Sequence, residues 1–430
     1  MSLKLILLHN KLSLLLLTSM IIVLLCTATN AAPVRFVVTG DSWGTDNGVN
    51  TLILAEIAQA TVAEAVDFTL LIGDLTNGYA DDQAGFESKL TTWRNTMQPV
   101  YDAGIGVYPC RGNHDAIGVK PAADPTGALS KAGWDTIFTG PYALPGNGPS
   151  GEENITFSFT RENVFVIGLD HYGTHPQRVN QDWLDAQLAA NTQPHVFVFG
   201  HEPAFKLFHA DCLDDHPVER NTFWQSLTAA CGKTYFCGHD HFYNHTRTDN
   251  GDGDPNNDLH QFDVATSGSS FYHWGGSYDG DNGPWTPQLV HHEEDYYGYI
   301  LVEVDGPNVV LTWKHRTAPG VYQTAGDVFA YSFDTYPPQG NGIGDVCDCE
   351  GDFNCDGNVD ARDVTSFLDD FGRNQFNNPC NEAPPCKGDF NCDRNVDATD
   401  VTVFLGDFGR NQFNNPCPAC DSEIPWCVYQ

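Results

Sequence analysis

Positively charged side chains are scarce in this sequence. Its 430 residues include 21 lysines and arginines against 56 aspartates and glutamates, a formal net charge of −35 at pH 7. A protein that binds DNA or RNA through its phosphates needs a basic stripe that displaces counterions, and this chain has none. The composition therefore excludes a nucleic-acid polymer as the expected partner. A small phosphate ester stays compatible with it, provided that a metal cation mediates the contact.

Long apolar runs are also rare. The run LSLLLLTSMIIVLLC at residues 12–26 is shorter than the roughly 20 residues of a membrane span. Lys4 and Lys11 precede it and small residues follow it, which is typical of a secretory signal cleaved near Ala31. We expect residues 1–31 to be a signal peptide, the alternative being an uncleaved anchor. The mature protein would be secreted or lie at the cell surface, without a membrane span.

Cysteine, in contrast, is abundant. Fourteen cysteines in an exported chain predict disulfide bonds. Cys110, Cys212, Cys231 and Cys237 could form two of them. Cys110 and Cys237 adjoin the motif residues described below, however, and could instead pack as apolar ends of strands.

The chain divides into three parts after the signal. Residues 33–335 alternate between apolar runs and segments of helical spacing, which predicts a layered α/β domain with mixed sheets. Residues 336–350 form a linker rich in Gly, Pro and Asp. Residues 351–430 contain a repeat, in which 351–380 recur at 388–417 with four substitutions in thirty.

The runs that predict buried strands cover residues 35–40, 67–73, 104–110, 163–170, 195–200 and 233–238. Helical spacing is clearest at 50–65 and 180–190. The segments 297–306 and 307–316 predict a hairpin that closes the sheet. Residues 290–295, VHHEED, are interpreted as a solvated loop rather than a metal-binding tract.

Potential ligands follow five of these six runs. Because ligands in α/β sheets bind at the carboxyl ends of strands, we expect these side chains to meet in one crevice. His239 and His241 stand two residues apart, so that on a strand they would point to one face. Mixed oxygen and nitrogen donors suit Fe, Zn or Mn more than Ca. The side chains are Asp41, Asp74, Asn113, His114, Asp115, His201, His239 and His241.

The motifs that carry them, GDSWG, GDLTNG, RGNHD, GHEPAF and GHDHF, resemble those of the calcineurin-like metallophosphoesterases, which include the purple acid phosphatases. The resemblance spans residues 34 to 315. It implies a four-layer αββα sandwich with mixed sheets. It also implies a hydrolase that cleaves a phosphate mono- or diester with metal-activated water.

The resemblance assigns a role to each side chain. Asp74 would bridge two metal ions, and His114 would protonate the leaving oxygen, with Asp115 holding its ring. The shell of one ion would be completed by Asn113, His201 and His239, and the other ion would bind Asp41 and His241. His171, in GLDHYG, is left open between a pocket rim and an ordinary core position.

One position departs from the family pattern. The first motif has His two residues after its Asp, and here that residue is Trp43, which cannot donate a lone pair to a metal. The purple acid phosphatases lack that His too, but they have Tyr three residues after the bridging Asp, where this chain has Asn77. Neither Asn77 nor the nearby Tyr79 matches a ligand position. We therefore predict that the first metal ion is held more weakly.

The repeats carry the spacing of calcium loops. Each has D-x-N-x-D followed by acids at positions 9 and 12, as in an EF-hand loop, and then a short apolar helix. Two such units resemble a type I dockerin, which implies a cohesin-type partner. Position 6 is Gly357 in the first loop and Arg394 in the second, so the second site should bind calcium more weakly. The expected ligands are Asp352, Asn354, Asp356, Asn358, Asp360, Asp363, Asp389, Asn391, Asp393, Asn395, Asp397 and Asp400.

Two functions therefore compete. The first is a secreted metal-dependent phosphoesterase with a dockerin-like attachment module. The second, favoured by Trp43, is an inactive metallophosphoesterase fold that serves as a calcium-dependent surface or adhesion protein. The alternative for the tail is a calcium- and disulfide-stabilised spacer with no partner. Residues 116–152 and 267–296 are long enough to wall the crevice, and the choice between a monoester and a diester would depend on that wall.

Overall fold

The computed structural model describes residues 32–173, 176–230, 232–251, 255, 258–332, 359–373, 388, 396–397, 401, 404 and 408. The predicted signal, residues 1–31, and the predicted linker, 336–350, lie outside these ranges. No helix within the described ranges is long and apolar enough to cross a membrane.

Fourteen strands, eight α-helices and two short 3-10 helices make up the described structure. The strands are β1 Val34–Thr39, β2 Trp43–Asp46, β3 Phe68–Leu71, β4 Gly106–Pro109, β5 Phe157–Arg161, β6 Val164–Gly168, β7 His195–Phe199, β8 Thr234–Cys237, β9 Tyr243–Asp249, β10 Leu259–Val264, β11 Thr286–Glu293, β12 Gly298–Asp305, β13 Asn308–Ala318 and β14 Val321–Ser332. The helices are α1 Thr51–Ala63, α2 Gln83–Thr96, α3 Gln98–Asp102, α4 Asn113–Ala116, α5 Ala128–Ile137, α6 Gln181–Ala190, α7 Pro217–Ala229 and α8 Ala361–Asp370.

Two mixed sheets form the body of the fold. The first has the strand order β14-β13-β12-β1-β3-β4, and the second has the order β11-β9-β10-β8-β7-β6-β5. β1, β3 and β4 are parallel neighbours in the first sheet, as are β6, β7, β8 and β10 in the second. The remaining pairs, including β12 with β1, are antiparallel. Mixed sheets were predicted, and this prediction is confirmed.

The core has two parts because successive side chains of a strand point to opposite faces. On β7, Phe197 and Phe199 belong to the apolar cluster between the sheets, and the ring of Phe197 lies 5.0 Å from that of Phe36 on β1. Val196 and Val198 belong instead to a second cluster with α6 and α7. Helices α1, α2 and α5 contribute buried residues to the first cluster. The layers therefore run helix, sheet, sheet, helix.

All six predicted strands, both predicted helices and the β12–β13 hairpin are present. The hairpin does not close the first sheet, because β14 pairs with β13 and forms the edge. The interpretation of residues 290–295 as a loop is wrong, since most of them belong to β11. Their imidazoles pair with neighbouring carboxylates: His291 with Glu293 at 3.2 Å and His292 with Glu294 at 3.0 Å.

The described cysteines of residues 33–335 do not form the predicted disulfides. Cys110, Cys212 and Cys237 are free and buried. Cys110 and Cys237 lie at the ends of β4 and β8, where they pack as small apolar residues. Cys231 and the cysteines of the repeats lie outside the described residues.

The described parts of the two repeats pack against each other. Residues thirty-seven apart are equivalent, and the equivalent rings of Phe367 and Phe404 stack with centroids 5.0 Å apart. The backbone of Val396 bonds the segment after α8, since its carbonyl accepts from the Gly372 N–H at 2.8 Å and its N–H donates to the Arg373 carbonyl at 2.8 Å. The duplication in sequence is therefore also a pairing in space.

Candidate metal centre

The centre lies where parallel strands of both sheets end. Backbone bonds join their loops: the Asp41 N–H donates to the Gly73 carbonyl at 3.0 Å, and the Gly238 N–H donates to the His201 carbonyl at 2.9 Å. The Gly40 N–H donates to the Val264 carbonyl at 3.1 Å, which ties the first sheet to the second. The loops that follow β1, β3, β7 and β8 are thus held together before any side chain is considered.

Four of the expected ligands have a left-handed backbone. The φ angles are 58° at Asp41, 50° at Asp74, 77° at His239 and 57° at His241. Residues other than glycine adopt this region at a cost of order 1–3 kcal/mol, and a cluster of them is typical of a functional site, where the surrounding structure imposes the conformation. Here the sharp turns after the strands aim these side chains into the crevice.

Glycines make room for the carboxylates. A Cβ on Gly112 would overlap Asp74 Oδ1, and a Cβ on Gly238 would overlap Asp41 Oδ2. The glycine that opens GNH and the one that opens GHDH are therefore required by close approach to the ligand on the neighbouring loop.

The expected ligands come together. Ligand atoms of Asp41, Asp74 and His201 all lie within 4.8 Å of one another. The side-chain amide of Asn113 is 3.1 Å from His201 Nε2, and His241 Nε2 is 3.5 Å from Asp41 Oδ1. The His239 ring lies 5.1 Å from that of His201. One crevice therefore contains all six side chains.

Two of the histidines expected to be ligands are held in the neutral form. His201 Nδ1 lies 2.8 Å from the Ile72 carbonyl and His241 Nδ1 lies 2.8 Å from the Ser270 carbonyl, so that each Nδ1 donates and each Nε2 keeps a lone pair. Burial lowers the pKa of His201 well below its usual value and lowers that of His241 to about 3. Both imidazoles are thus in the form that binds metals.

His239 sits between two carboxylates that the sequence analysis did not single out. Its Nε2 is 3.5 Å from Asp211 Oδ1 and 3.9 Å from Glu202 Oε2. Burial alone would lower the pKa of His239, but Glu202 and Asp211 raise it to about 10. The two carboxylates therefore favour positive charge at this imidazole, whether a proton or a metal ion supplies it. Glu202 follows His201 in GHEP, but a carboxylate next to an expected ligand is not a motif, so the sequence did not indicate a role for it.

Several buried polar atoms of the centre have no hydrogen-bond partner among the described residues. They are Asp41 Oδ1, Glu202 Oε2 and His239 Nε2. Buried polar atoms are nearly always paired, because an unpaired one costs about 1–3 kcal/mol. Burial, aided by the charge of Asp74, raises the pKa of Asp41 well above its usual range, and burial also raises that of Asp74. A bound cation would compensate these groups, so the donor set fits a transition metal.

His114 lies beside Asp74 at the open side of the centre. Its backbone N–H donates to Asp74 Oδ1 at 2.9 Å, and its Nε2 is 3.8 Å from Asp74 Oδ2. Its Nδ1 is 3.1 Å from the Asn77 carbonyl, and the ring stacks on Trp43 with centroids 5.3 Å apart. With Nδ1 donating to the carbonyl, the partly exposed ring presents Nε2 toward the crevice.

The expected contact between Asp115 and the His114 ring is not present. Asp115 Oδ2 accepts from the N–H groups of Leu75 at 2.9 Å and Gly112 at 3.2 Å, and Oδ1 accepts from the Thr76 N–H at 3.1 Å. Asp115 is the third residue of the short helix α4, which directs its carboxylate back toward the start of that helix. It therefore fastens the loop after β3, and the Asn77 carbonyl orients the His114 ring instead.

The position where the family has its first-motif histidine is filled by an indole. Trp43 Nε1–H donates to His241 Nε2 at 3.4 Å. Asn77 Oδ1 accepts from Lys89 Nζ at 2.7 Å, and Tyr79 lies edge-on to His114 at 5.8 Å. In these contacts, none of the three residues is placed to act as a metal ligand beside Asp41.

One further histidine reaches the centre that the sequence did not predict. His209 Nδ1 is 2.7 Å from Asp240 Oδ1, and its backbone N–H donates to the same oxygen at 3.0 Å. Its ring lies 4.4 Å from that of His239. The buried Asp240, which separates the histidines of GHDH, brings it there. His209 follows no strand, so that only the fold reveals its position.

His171 belongs to the core rather than to the pocket rim. It is fully buried, and its Nδ1 accepts from the Glu202 N–H at 3.0 Å. Burial lowers its pKa to about 4, which keeps the ring neutral. His171 thus supports the backbone of Glu202.

Of the twelve expected calcium ligands, three are described. Asp360 Oδ1 accepts from the Arg362 N–H at 2.8 Å and Asp363 Oδ2 accepts from the Asp360 N–H at 2.9 Å, so that the pair caps the start of α8. Asp397 is exposed. The other nine, which lie outside the described residues, are Asp352, Asn354, Asp356, Asn358, Asp389, Asn391, Asp393, Asn395 and Asp400.

Comparison with known proteins shows which of them this chain is similar to. Residues 34–243 match the family model of the calcineurin-like phosphoesterases. Tartrate-resistant acid phosphatase type 5 of Rattus norvegicus is 27% identical over 332 residues, which cover 70% of this chain and 92% of that protein. The enzyme of the same name from Homo sapiens is 26% identical over 329 residues, with 69% and 92% covered.

Solved structures show the same fold. The purple acid phosphatase PPD1 of yellow lupin (Lupinus luteus) superimposes with a TM-score of 0.53 at 16% identity, covering 70% of this chain and 54% of that one. This chain thus matches about half the length of the lupin protein. PhoD superimposes with a TM-score of 0.52 at 12% identity, covering 71% and 69%.

Residues 34–243 of this chain are therefore similar to the calcineurin-like phosphoesterases, and the relatives compared with it are acid phosphatases. The class that these relatives define is that of hydrolases acting on phosphoric ester bonds, as the sequence analysis predicted.

Proposed function

We propose that this protein is a metal-dependent phosphoesterase that hydrolyses a phosphate mono- or diester with water. The observation that carries the proposal is the convergence of Asp41, Asp74 and His201, whose ligand atoms lie within 4.8 Å of one another at the ends of strands from two sheets. The unpaired buried atoms around them support a cation at this place. The homologous acid phosphatases support phosphate as the group acted upon.

Two Fe, Zn or Mn ions would be held on either side of Asp74. Asn113, His201 and His239 would serve one ion, and Asp41 and His241 the other. The chemistry that such ions supply is the activation of water and the neutralisation of charge on the phosphate oxygens. The protein's contribution is rigidity, because the carbonyls of Ile72 and Ser270 set the tautomers of His201 and His241 before a metal binds.

His114 is the proposed proton donor to the leaving oxygen. Its Nδ1 bond to the Asn77 carbonyl and its stacking on Trp43 leave Nε2 facing the crevice next to Asp74. His209, fixed by Asp240 beside His239, is a second group that could hold a proton at the leaving oxygen. Positioned general acids of this kind typically contribute 10²–10⁴-fold in rate.

Turnover of p-nitrophenyl phosphate and bis-p-nitrophenyl phosphate, with Mn, Zn or Fe added, tests the proposal. We expect hydrolysis of at least one ester and a loss of about hundredfold in His114→Asn. The matched control is His216→Asn, at the start of α7, where asparagine is a favoured cap and where no metal ligand is near in sequence. Equal activity in His114→Asn and the control would remove His114 from the proposed role.

The competing function is that of an inactive fold acting as a calcium-dependent surface or adhesion protein. The Trp43 indole favours it, because its N–H is bonded to the lone pair of His241 that a metal would need. Absence of turnover of both esters with each metal, in a folded protein that binds those metals, would decide for this alternative.

We also propose that the C-terminal repeats form a calcium-dependent attachment module with a cohesin-type partner. An apolar groove between the repeats supports this, since Leu368, Phe371 and Phe408 are exposed although they are large and apolar. Thermal melting of the full chain with calcium and with EGTA is the test. We expect a separate transition that calcium shifts upward, and identical curves would rule out the calcium sites.

The site of action is proposed to be extracytoplasmic. The composition of residues 1–31 supports export, and cleavage would follow Ala31. Sequencing the N-terminus of the protein recovered from an expressing culture tests this, because an uncleaved chain in the cell fraction would contradict it.

A further inference from the structure

A continuous series of aromatic rings crosses the mouth of the metal centre. Phe208 stacks on Tyr272 with centroids 4.8 Å apart, and Tyr272 stacks on His241 at 4.6 Å. His241 meets the edge of Trp43 at 5.6 Å, and Trp43 stacks on His114 at 5.3 Å. Tyr79 closes the series edge-on to His114 at 5.8 Å.

The two ends of this series are open to solvent. Phe208 is 41% exposed and Tyr79 is 46% exposed. Phe208 is nevertheless held in place, because its backbone N–H donates to Asp240 Oδ2 at 3.1 Å, next to the bond that fixes His209. Large apolar rings kept exposed beside a reactive centre are typical of a binding surface.

The charged groups near the series argue against a second phosphate on the substrate. The Arg111 guanidinium, which adjoins GNH, is buried in a bidentate pair with Asp170 at 2.6 and 3.0 Å. Lys89 Nζ is bonded to Asn77 Oδ1 and the Gly78 carbonyl. The exposed Asp211 carboxylate lies beside His239 instead. A second phosphate on the substrate would therefore meet the Asp211 carboxylate. The cations of Arg111 and Lys89 are already paired with protein groups and would not bind it.

We propose that the preferred substrate is an ester of a single phosphate whose alcohol carries a planar aromatic ring, bound by the Phe208 end of the series. The inference rests on the proposed function, because it names the ester group that this same centre would act on. The aromatic ring of the alcohol would stack on the Phe208 ring, and this contact binds the alcohol without requiring a charge on it.

Benzyl phosphate and n-butyl phosphate separate this proposal from leaving-group chemistry. Both release a primary alcohol from one phosphate, and only the first carries a ring. We expect kcat/KM for benzyl phosphate to exceed that for butyl phosphate by about fivefold, the scale of one aromatic contact. Equal values with clear turnover would overturn the inference while leaving the esterase function standing.

Substitutions at Phe208 locate the effect. Phe208→Ala should bring the benzyl-to-butyl ratio close to one, whereas Phe208→Trp, which keeps a planar ring, should retain it. Leu289→Ala is the control, since Leu289 is a comparably exposed apolar side chain on β11. A ratio that survives in Phe208→Ala, or that falls equally in the control, would overturn the assignment to Phe208.

A binding measurement keeps the inference falsifiable without turnover. Calorimetry of the metal-loaded protein with benzylphosphonate and butylphosphonate should show about fivefold tighter binding of the first. If neither ester is hydrolysed but this preference holds, the esterase function fails and the aromatic surface stands. If the two phosphonates bind equally, the inference is wrong.

Discussion

The two sides of Asp74 are built differently. On one side, His201 and His239 are supported by neighbouring polar groups: the Ile72 carbonyl fixes His201, and the Glu202 and Asp211 carboxylates face His239. On the other side, His241 Nε2 lies 3.5 Å from Asp41 Oδ1, and the Trp43 indole donates to that same nitrogen, which a metal would use. We call these the His201 side and the Trp43 side.

We infer from this difference that a chain can carry all five motifs in the family's order and still have two unequal metal sites. Five motifs follow one another in this chain as the resemblance requires, yet a single residue two positions after Asp41 alters one side. An indole in place of an imidazole removes a ligand and adds a hydrogen-bond donor that opposes metal binding. We therefore expect the His201 side to bind metal first and more tightly.

The largest effect should come from the residue that both sides share. Asp74→Asn keeps the size of the side chain and removes its charge, so that metal binding on both sides weakens and activity falls at least about hundredfold. Metal content after dialysis, measured together with turnover, checks this. Unchanged metal content on either side would show that Asp74 is not shared.

A pair of substitutions separates the two sides. His239→Ala removes a ligand from the His201 side, and His241→Ala removes one from the Trp43 side. We expect the first to abolish the metal that survives dialysis, and the second to leave most of it in place. Titration with Mn or Zn by calorimetry measures both variants. If the two variants lose metal equally, the predicted difference between the His201 side and the Trp43 side is wrong.

Removing the charge of Glu202 next to His239 should have a smaller effect on metal affinity. Glu202→Gln keeps the hydrogen-bond acceptor for Tyr172 and removes the carboxylate charge next to His239. Substitution of a carboxylate that supports a ligand histidine typically weakens metal affinity 10–100-fold. Calorimetry should show such a loss in Glu202→Gln and none in Glu162→Gln, a control on the exposed turn between β5 and β6. An equal affinity in both would make Glu202 a packing residue.

The smallest expected effect is an increase in metal affinity. Trp43→His replaces the indole by the ligand type that the family has at this position, so that the Trp43 side should bind a metal about tenfold more tightly, about 1.4 kcal/mol. The second, weaker step of a metal titration measures it. Trp43→Phe is the control, because it removes the indole N–H without adding a ligand. A histidine variant that behaves like the phenylalanine variant would contradict the prediction.

Much of the fold could be predicted because buried strands leave a strong pattern. The run HVFVFG predicted β7, and its alternation is explained by two apolar environments on its two faces. β9 and β10 were not predicted, since residues such as His245, His260 and Gln261 are polar although buried. Their side chains bond to each other across the sheet, for example His245 Nε2 to His260 Nδ1 at 2.7 Å, and a sequence pattern does not reveal such pairs.

The expected side chains of the centre followed from their places at strand ends, whereas their supports did not. Asp115 was expected beside the His114 ring because it is adjacent in sequence, but in α4 it turns back toward Gly112 and Leu75. Glu202, Asp211 and His209 became visible only through contacts with His239.

The amino-acid sequence by itself determined the alternation of strands and helices, the order of the polar residues at the strand ends and the duplication of the tail. These features are local, because each depends on residue types and spacing within a short segment. The tertiary structure decided which groups surround each ligand: the indole at His241, the carboxylates at His239 and the aromatic series across the mouth. Those contacts join segments up to about two hundred residues apart, as between Trp43 and His241, and only the packing of two sheets brings them within bonding distance.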